Sequence, residues 1–310
     1  MIKPRALRSG DRIGVVAPAS SFGRESFDAG VAELRRLGYE PAYDDSVFAR
    51  GRYTAGDAAT RAAAFRRAWD DPSTAAVIAV RGGYGSVHLL PLLDAGAIRR
   101  APKAFIGYSD NTSLLDWLTG QCGLVSFHGP MLDGRLAKGQ SAYDLDTWTR
   151  VLTRAEPAGP IVHPQLETLR PGDASGTLVG GTLTNLLASL GTPYAFDPPV
   201  GHILFVDEVA ERPYRIDRML TQLRLSGLLS RAAGIVFGEL PRCDEPAPAG
   251  PAIKDVIRDV LADFPGPVLF GLPSGHTDGA CMTLPFGVRA HVAAGPEPAL
   301  IIEEAAVAAR

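Results

Sequence analysis

Short apolar runs alternate with helical patterns along the first half of the chain. Four runs are apolar at nearly every position, which is typical of strands buried on both faces; they are residues 13–17, 75–80, 104–107 and 124–127. Between them lie segments with helical periodicity or composition, at residues 25–37, 56–70, 86–93 and 112–119. Because such strands must be covered on both sides, the alternation predicts an α/β fold with an N-terminal, doubly wound, mostly parallel sheet.

The pattern weakens between residues 132 and 172, where Gly, Pro and polar residues dominate apart from a helical stretch at 144–152. We therefore predict an N-terminal domain at 1–135, a connecting region at 136–172 and a C-terminal α/β domain at 173–310. Further strands are predicted at 176–181, 202–206, 234–238 and 268–271, and helices at 182–190, 214–225 and 253–263. Alternating apolar and polar residues near the C-terminus predict antiparallel or barrel-like β-structure.

Composition and charge exclude several classes of protein. The formal net charge of −3 over 310 residues argues against a dedicated binder of nucleic acid or of anionic membranes. The three cysteines, Cys122, Cys243 and Cys281, are widely spaced and fit neither a disulfide framework nor a zinc site. Because no apolar run has the length of a membrane span or precedes Pro18 as a signal-peptide core would, we expect a cytoplasmic protein without membrane or metal.

The turn after the predicted strand at 104–107 is the first candidate site. It reads Gly107-Tyr108-Ser109-Asp110-Asn111 and leads into an apolar helix. A serine on a sharp turn between a strand and a helix is exposed beside backbone amides that favour negative charge. Asn111 stands where the nucleophile-turn motif G-x-S-x-G has glycine, and a serine or aspartate here can also simply cap the helix.

A glycine-rich loop follows the strand at 75–80 and reads RGGYGS from Arg81 to Ser86. Its glycines let the backbone approach a ligand and provide free N–H groups. The Lys-Ser/Thr ending of a phosphate-binding loop is absent. A phosphate cradle, an oxyanion hole and a simple tight turn therefore all remain open for this loop.

The candidate base and acid lie further along the chain. His276 stands in a loop of turn residues after a predicted strand, whereas His128 follows the strand at 124–127 and is a competing base. The strand at 202–206 ends in Asp207-Glu208, and a carboxylate at such an end can orient a catalytic imidazole. These acids can equally serve as helix-terminal charges or ion-pair partners of nearby arginines.

Six segments together resemble the LD-carboxypeptidase family, which also contains the microcin C immunity peptidases. They occur in the family's order and span nearly the whole chain: RGGYGS, FIGYSDNTSLL, SFHGPML, GTLVGGTLTNLLASLGTPY, ILFVDEVAERPYRIDRML and GLPSGHTDGACMTLPFGVRAHV. The resemblance implies a serine peptidase with a Ser–His–Glu triad, no metal and no diffusible cofactor. The resemblance also implies that the N-terminal sheet is related in architecture to that of class I glutaminases. In this sequence, however, no cysteine follows a strand at the nucleophile turn.

Transferred by motif, the resemblance implies that Ser109 is the nucleophile and His276 the general base. It implies an oxyanion hole formed by the backbone N–H groups of Asp110 and of Gly83, with Gly82 as the next choice. Such donors contribute about 3–4 kcal/mol each in other hydrolases.

The triad acid is where this sequence departs from the family. The family usually has Leu-Glu-Asp or Leu-Glu-Glu before Val, whereas the sequence here is Val206-Asp207-Glu208-Val209. Gapless alignment assigns Asp207 to the triad, and Asp has this function in other triads. A one-residue bulge would present Glu208 instead.

The family resemblance implies an enzyme of peptidoglycan recycling that releases terminal D-Ala from murein tetrapeptide, a small peptide substrate, and that forms a homodimer. Arg81, Tyr84, Arg212 and Arg215 are candidates to contact the substrate, whose carboxylate needs an Arg or a set of amides. One alternative is a hydrolase of peptidyl- or aminoacyl-nucleotides, as in microcin C immunity. Another is a ligand-binding protein without catalysis on the same fold.

Overall fold

The computed structural model describes residues 1–245 and 250–310 and contains two β-sheets with helices between their strands. The strands are β1 (Arg12–Val16), β2 (Glu40–Ala42), β3 (Thr74–Ala79), β4 (Ala104–Gly107), β5 (Ser126–His128), β6 (Pro157–Ile161), β7 (Glu167–Arg170), β8 (Gly172–Thr182), β9 (His202–Asp207), β10 (Ala232–Gly238), β11 (Val268–Leu272), β12 (Leu284–Phe286), β13 (Arg289–Ala294) and β14 (Ala299–Ala305). The α-helices are α1 (Arg24–Arg36), α2 (Ala58–Asp70), α3 (Ala95–Arg100), α4 (Thr112–Asp116), α5 (Leu145–Thr153), α6 (Leu183–Ser189), α7 (Pro213–Leu225), α8 (Leu228–Arg231) and α9 (Ile253–Val260).

Short helical turns complete the connections. They are 3₁₀-helical at Asp45–Phe48, Ser86–Leu92, Ser109–Asn111, Leu136–Lys138 and Gln140–Ala142, and π-helical at Trp117–Gln121. The predicted helix at 86–93 is one of these 3₁₀ segments and contains Pro91, which has no N–H to donate to a longer helix. No described helix combines the length and the apolar composition that crossing a bilayer requires.

The first sheet has the spatial order β12-β5-β4-β3-β1-β2. Its five N-terminal strands are parallel, and β3 and β4 are buried at every position. The prediction of a mostly parallel N-terminal sheet is therefore confirmed. The sixth strand, β12, comes from near the C-terminus and pairs antiparallel with β5, so that Leu284 lies opposite His128.

The second sheet has the order β6-β14-β13-β8-β9-β10-β11-β7. Its centre, β8 to β11, is parallel, whereas β13, β14, β6 and β7 are antiparallel. The predicted antiparallel C-terminal end is confirmed. The barrel-like alternative is wrong, because the edge strands β6 and β7 do not pair with each other among the described residues and the sheet stays open.

The region predicted to connect two domains contains a helix and two strands. Helix α5 lies within residues 136–172, and β6 and β7 from the same region form opposite edges of the second sheet. Alternation is weak in both strands because β6 contains two prolines and β7 is half-buried throughout. The division of the chain at 136–172 stays a prediction.

Apolar packing joins the two sheets. One cluster of buried side chains extends from the first sheet to Leu178 and Phe205 on the second. A second cluster lies between the second sheet and its helices and includes Leu204, Ile216 and Ile257. Because the first cluster is continuous across both sheets, the two sheets share one close-packed core.

Candidate active site

Ser109 lies on a strained turn at the carboxyl end of β4. Its φ angle is 63°, in the left-handed region that non-glycine residues seldom adopt. Such a conformation costs on the order of 1–3 kcal/mol and persists where the surrounding structure enforces it. The turn is close to Gly82, where an added Cβ would lie 2.7 Å from the Ser109 Cβ. The serine side chain is therefore held at the carboxyl ends of β3 and β4.

Ser109, His276 and Asp207 form an unbroken chain of hydrogen bonds. His276 Nε2 lies 3.1 Å from Ser109 Oγ, and His276 Nδ1 lies 2.7 Å from Asp207 Oδ2. The backbone N–H of His276 also donates to Asp207 Oδ1 at 3.0 Å. With Nδ1–H donating to the carboxylate, Nε2 has a free lone pair for the serine hydroxyl proton. This is the tautomer that a general base requires.

Asp207 is fully buried at the last position of β9. Besides its two bonds to His276, its Oδ2 accepts a hydrogen bond from Thr182 Oγ1 at 3.3 Å. Thr182 is in turn bound to the helix after the serine, because its N–H donates to Thr112 Oγ1 at 3.0 Å. The carboxylate and the serine turn are thus linked through the end of β8.

Glu208 points away from the imidazole. Its carboxylate accepts hydrogen bonds from the N–H and hydroxyl of Thr184 at 2.9 and 2.7 Å, and from Val209 N at 3.0 Å. Burial raises the pKa of Glu208, although these hydrogen bonds oppose that effect. Because Thr184 is in the first turn of α6, Glu208 serves the start of that helix. The structure brings Asp207 to His276 and does not bring Glu208.

The electrostatics of the site favour a basic imidazole. Burial alone would lower the pKa of His276, but the charge and hydrogen bond of Asp207 outweigh burial and raise it above 6.5. Arg135 acts in the opposite direction and tends to lower it. The net shift makes His276 a stronger proton acceptor than a free imidazole.

The glycine-rich loop lies against the serine turn. An ideal Cβ on Gly82 would lie 3.2 Å from the backbone nitrogen of Asp110. The carbonyl of Gly82 accepts the N–H of Ser20 at 3.2 Å, and the Ser20 hydroxyl accepts the N–H of Tyr84 at 3.0 Å. Gly83 has a φ of 104°. Gly82 and the backbone nitrogen of Asp110 therefore lie together beside Ser109, and Gly83 follows on the same loop against Ser20.

Asp110 also fastens the loop through its side chain. Its Oδ2 accepts the N–H of Ser86 at 2.8 Å, and its carbonyl accepts the Ser86 hydroxyl at 2.5 Å. Arg61 holds the same loop from the other side, because one of its nitrogens donates to the Gly85 carbonyl at 2.7 Å. The glycine-rich loop is thus bound to the residue after Ser109 at two points and to Arg61 at a third.

The competing base, His128, is fully buried and does not contact Ser109. Its Nδ1 bonds to Ser274 Oγ at 3.0 Å, and its Nε2 lies 3.9 Å from Asp207 Oδ2. Since the Ser274 hydroxyl donates to the Met282 carbonyl, it accepts from His128 Nδ1. Burial lowers the pKa of His128 to about 4. His128 is thus a neutral imidazole behind Asp207.

The proposed substrate contacts do not converge. Arg81 lies 3.6 Å from Asp133, Arg212 lies 2.5 Å from Glu245 and Arg215 lies 3.2 Å from Glu211. The three arginines are therefore ion-paired with neighbouring carboxylates. Tyr84 is half exposed on the glycine-rich loop, and its ring packs edge-on against His88 with 5.3 Å between centroids.

Arg135 is a site residue that sequence reasoning missed. It is buried, and its guanidinium donates to the carbonyls of Gly275, Thr277 and Gly279 at 2.9, 2.8 and 3.1 Å. These carbonyls surround His276 on its loop. Nothing in the pattern around Arg135 distinguishes it from a surface arginine, because its partners lie about 140 residues away in the chain.

A serine, an imidazole and a carboxylate bonded in this order define the class of serine hydrolases. Within that class the chain belongs to the LD-carboxypeptidase family. The family's N-terminal domain model matches residues 13–129 and its C-terminal domain model matches residues 175–292.

Relatives and solved structures agree with this membership. A putative carboxypeptidase of Streptomyces coelicolor is 37% identical, covering 94% of this chain and 93% of its own. A probable murein peptide carboxypeptidase of Bacillus subtilis is 33% identical, and the match covers 96% of this chain and 94% of the relative. The crystal structure of muramoyltetrapeptide carboxypeptidase from Oxalobacter formigenes superposes with a TM-score of 0.83 at 31% identity, covering 95% and 99%.

The fold is shared with a protein of another named activity. The microcin C7 self-immunity protein MccF of Escherichia coli is 28% identical over 317 residues, covering 91% of this chain and 90% of its own. A solved structure of MccF with aspartyl sulfamoyl adenosine superposes with a TM-score of 0.92 at 24% identity, covering 99% and 100%. At that identity the superposition concerns the fold alone.

Proposed function

We propose that this serine peptidase is an LD-carboxypeptidase that removes the terminal D-Ala of murein tetrapeptide in cytoplasmic peptidoglycan recycling, acting as a homodimer. The observation that supports it most is the hydrogen-bond chain from Ser109 through His276 to Asp207. The murein peptide activity named for the relatives from Bacillus and Oxalobacter gives the substrate class.

In the first half of the reaction, Ser109 Oγ attacks the carbonyl carbon at the L-centre of the diamino acid. His276 Nε2 takes the hydroxyl proton, and Asp207 stabilises the imidazolium that forms. The negative oxygen of the tetrahedral intermediate is bound by the N–H of Asp110 and by the N–H of Gly83 or Gly82. His276 then donates its proton to the amide nitrogen, the C–N bond breaks and D-Ala leaves.

In the second half, water hydrolyses the ester on Ser109. His276 takes a proton from the water, which attacks the acyl carbon, and the proton then returns to Ser109 Oγ as the ester bond breaks. The same oxyanion donors serve both halves because the two tetrahedral intermediates place the charged oxygen at the same point.

The direct test is to incubate the protein with free tetrapeptide and to follow the products by mass spectrometry. We expect tripeptide and D-Ala with the wild type and none with Ser109→Ala. A diastereomer with terminal L-Ala is the matched substrate control and should be cleaved far more slowly. A folded protein that releases no D-Ala at high enzyme concentration contradicts the proposal.

The microcin-type alternative requires an aromatic platform for a nucleobase. The three tryptophans, Trp69, Trp117 and Trp148, are all buried, so none is available for stacking on a ligand. Tyr53 and Tyr84 are exposed near the glycine-rich loop with 6.4 Å between ring centroids. A panel of aminoacyl-sulfamoyl adenosines, compared with tetrapeptide in kcat/KM, separates the two activities.

A ligand-binding protein without catalysis is the alternative from another class. A fluorophosphonate probe should label Ser109 if the hydroxyl is activated by His276, and labelling should fall in His276→Ala. Sedimentation at micromolar concentration tests the homodimer independently of activity.

A further inference from the structure

A cavity of about 470 Å³ opens beside His276. Tyr108 and His276 are among its lining residues, and the Tyr108 ring stands edge-on to the imidazole with 5.2 Å between centroids. Lys138, Arg242 and Asp278 contribute charged groups to the other walls. The cavity is therefore next to the proposed general base and contains more positive than negative side chains.

The two exposed cations of this cavity differ from the arginines elsewhere at the site. Arg81, Arg212 and Arg215 each have a carboxylate within ion-pair distance. Within residues 1–245 and 250–310, neither Lys138 nor Arg242 has a carboxylate at ion-pair distance, because neither side chain occurs in any of the ion pairs of these residues. Their charges are thus available to an anion.

The loop that contains Arg242 is held in an unusual conformation. Leu240 and Arg242 have φ angles of 50° and 60°, and two left-handed non-glycine residues this close are strained. The Pro241 carbonyl accepts the N–H of Ala210 at 3.0 Å. Glu239 accepts the N–H of Asp278 at 3.1 Å and also bonds to the Thr277 hydroxyl. The loop is therefore bound to the segment next to His276.

We propose that Lys138 and Arg242 bind the free C-terminal carboxylate of the residue that leaves. This inference rests on the proposed function. In that reaction His276 protonates the leaving amine, so the departing residue must lie against His276. Its carboxylate is only two covalent bonds from that amine and hence falls within the cavity.

The charge balance of the cavity favours an anion. Lys138, Arg242 and the buried Arg135 supply three positive charges, whereas Asp278 supplies one negative charge. Arg135 donates hydrogen bonds to the carbonyls of the His276 loop and, at 3.4 Å, to the Tyr108 hydroxyl, so its positive charge adds to the attraction for an anion. The Tyr108 ring provides an apolar surface for a small side chain such as the alanine methyl.

The test compares two substrates that differ only in the charge of the terminal group. One is tetrapeptide ending in D-Ala and the other is the same peptide ending in D-alaninamide. We expect Lys138→Gln and Arg242→Gln each to raise KM for the acid about tenfold, the size of one lost hydrogen bond to a charged group. The double variant should raise it more than either single variant does, while kcat/KM for the amide changes little.

Three controls separate the possible outcomes. Arg258→Gln removes a surface arginine that pairs with Asp255 and should leave both substrates unaffected. Fluorophosphonate labelling of Ser109 in each variant reports an intact active site independently of the cavity. Added salt should weaken the preference of the wild type for the acid more than that of the double variant, because exposed charges are screened.

A double variant that keeps the wild-type preference for the acid overturns the carboxylate subsite but leaves the proposed function intact. A wild-type protein that is labelled at Ser109 yet cleaves neither peptide overturns the proposed function, and the subsite with it. Equal losses on acid and amide also overturn the subsite, because they indicate a general disturbance rather than recognition of charge.

Discussion

The serine turn and the acid–base pair are built in different ways. Ser109 is set by a local sequence, in which buried β4 ends and a left-handed residue leads directly into a helix. His276 and Asp207 are 69 residues apart, and His276 is 167 residues from Ser109. Their geometry depends on the packing of the second sheet against the first. The nucleophile is thus a property of one turn, and its activation is a property of the whole fold.

Two arginines show the same difference. Arg61 lies on α2, close along the chain to the glycine-rich loop, and holds that loop by donating to the carbonyl of Gly85 at 2.7 Å. Arg135 fixes the His276 loop from the other part of the molecule, through three carbonyls. Each buried cation satisfies backbone acceptors that would otherwise be left without a partner. The two arginines therefore support different parts of the site, Arg61 the loop beside the serine and Arg135 the loop of the base.

The largest effect is expected for Ser109→Ala. Loss of the attacking oxygen should lower kcat on the order of 10⁴- to 10⁶-fold, as for nucleophiles of other triads. The melting temperature should not fall, since alanine keeps the small side chain of the turn. Tetrapeptide hydrolysis and thermal unfolding measure the two quantities, and substantial residual turnover would show that Ser109 is not the nucleophile.

The next largest effect is expected for Asp207→Asn, with kcat lowered about 10⁴-fold. Because Asp207 raises the pKa of His276 above 6.5, the wild-type kcat/KM should fall as pH drops through a value above 6.5. Asn removes that charge, so the acid limb should move to lower pH. The pH profile of kcat/KM measures both.

Glu208→Gln is the matched control for Asp207→Asn. Gln can still accept the N–H of Thr184 through its amide oxygen, so a loss of less than about tenfold is expected. Near-wild-type activity in Asp207→Asn, or a larger loss in Glu208→Gln, would reverse the assignment of the triad acid.

An intermediate effect is expected for Gly82→Ala. The added methyl would lie 2.7 Å from the Ser109 Cβ and 2.9 Å from its Oγ, so the serine or the loop must shift. A displaced oxyanion donor lowers kcat about 10²- to 10³-fold in other hydrolases. Gly295→Ala is the control, because an added Cβ there meets nothing within 4 Å. Equal losses in both variants would show that the Gly82 methyl does not act by displacing Ser109 or its loop.

Apart from the Glu208→Gln control, the smallest effect is expected for Arg135→Gln, with kcat lowered about tenfold to a hundredfold through a misplaced His276 loop. Since Arg135 tends to lower the pKa of His276, its loss should move the acid limb to higher pH, opposite to Asp207→Asn. General destabilisation would not produce that shift. Arg170→Gln is the control, because Arg170 also donates to loop carbonyls, those of Leu261 and Ala262.

Sequence reasoning reached the serine turn and most of the sheet strands. The strands β3, β4, β9, β10 and β11 are apolar nearly throughout. Such runs predict a strand even when the neighbouring strand is not known. It missed β2, β6 and β7, which are short, contain proline or are half-exposed. Edge strands gain their order from the neighbour they pair with, and a single sequence does not show that neighbour.

The choice between Asp207 and Glu208 illustrates the same limit within the site. The two carboxylates are adjacent and chemically similar, and a shift of one residue would exchange them. In the structure, Glu208 bonds to the start of α6 and Asp207 bonds to His276. The pairing of β9 with β8 and β10 fixes which side chain faces which side.

By itself the sequence determined the parallel N-terminal sheet, the Ser109 turn and the likeness to one peptidase family, since these depend on contiguous patterns. Only the tertiary structure decided that Asp207 contacts the imidazole, that His128 is a buried neighbour, and that Arg135 supports the loop of His276. Those contacts join residues about 70 to 150 positions apart. Their geometry comes from the shared apolar packing of two sheets, which no local pattern in the chain encodes.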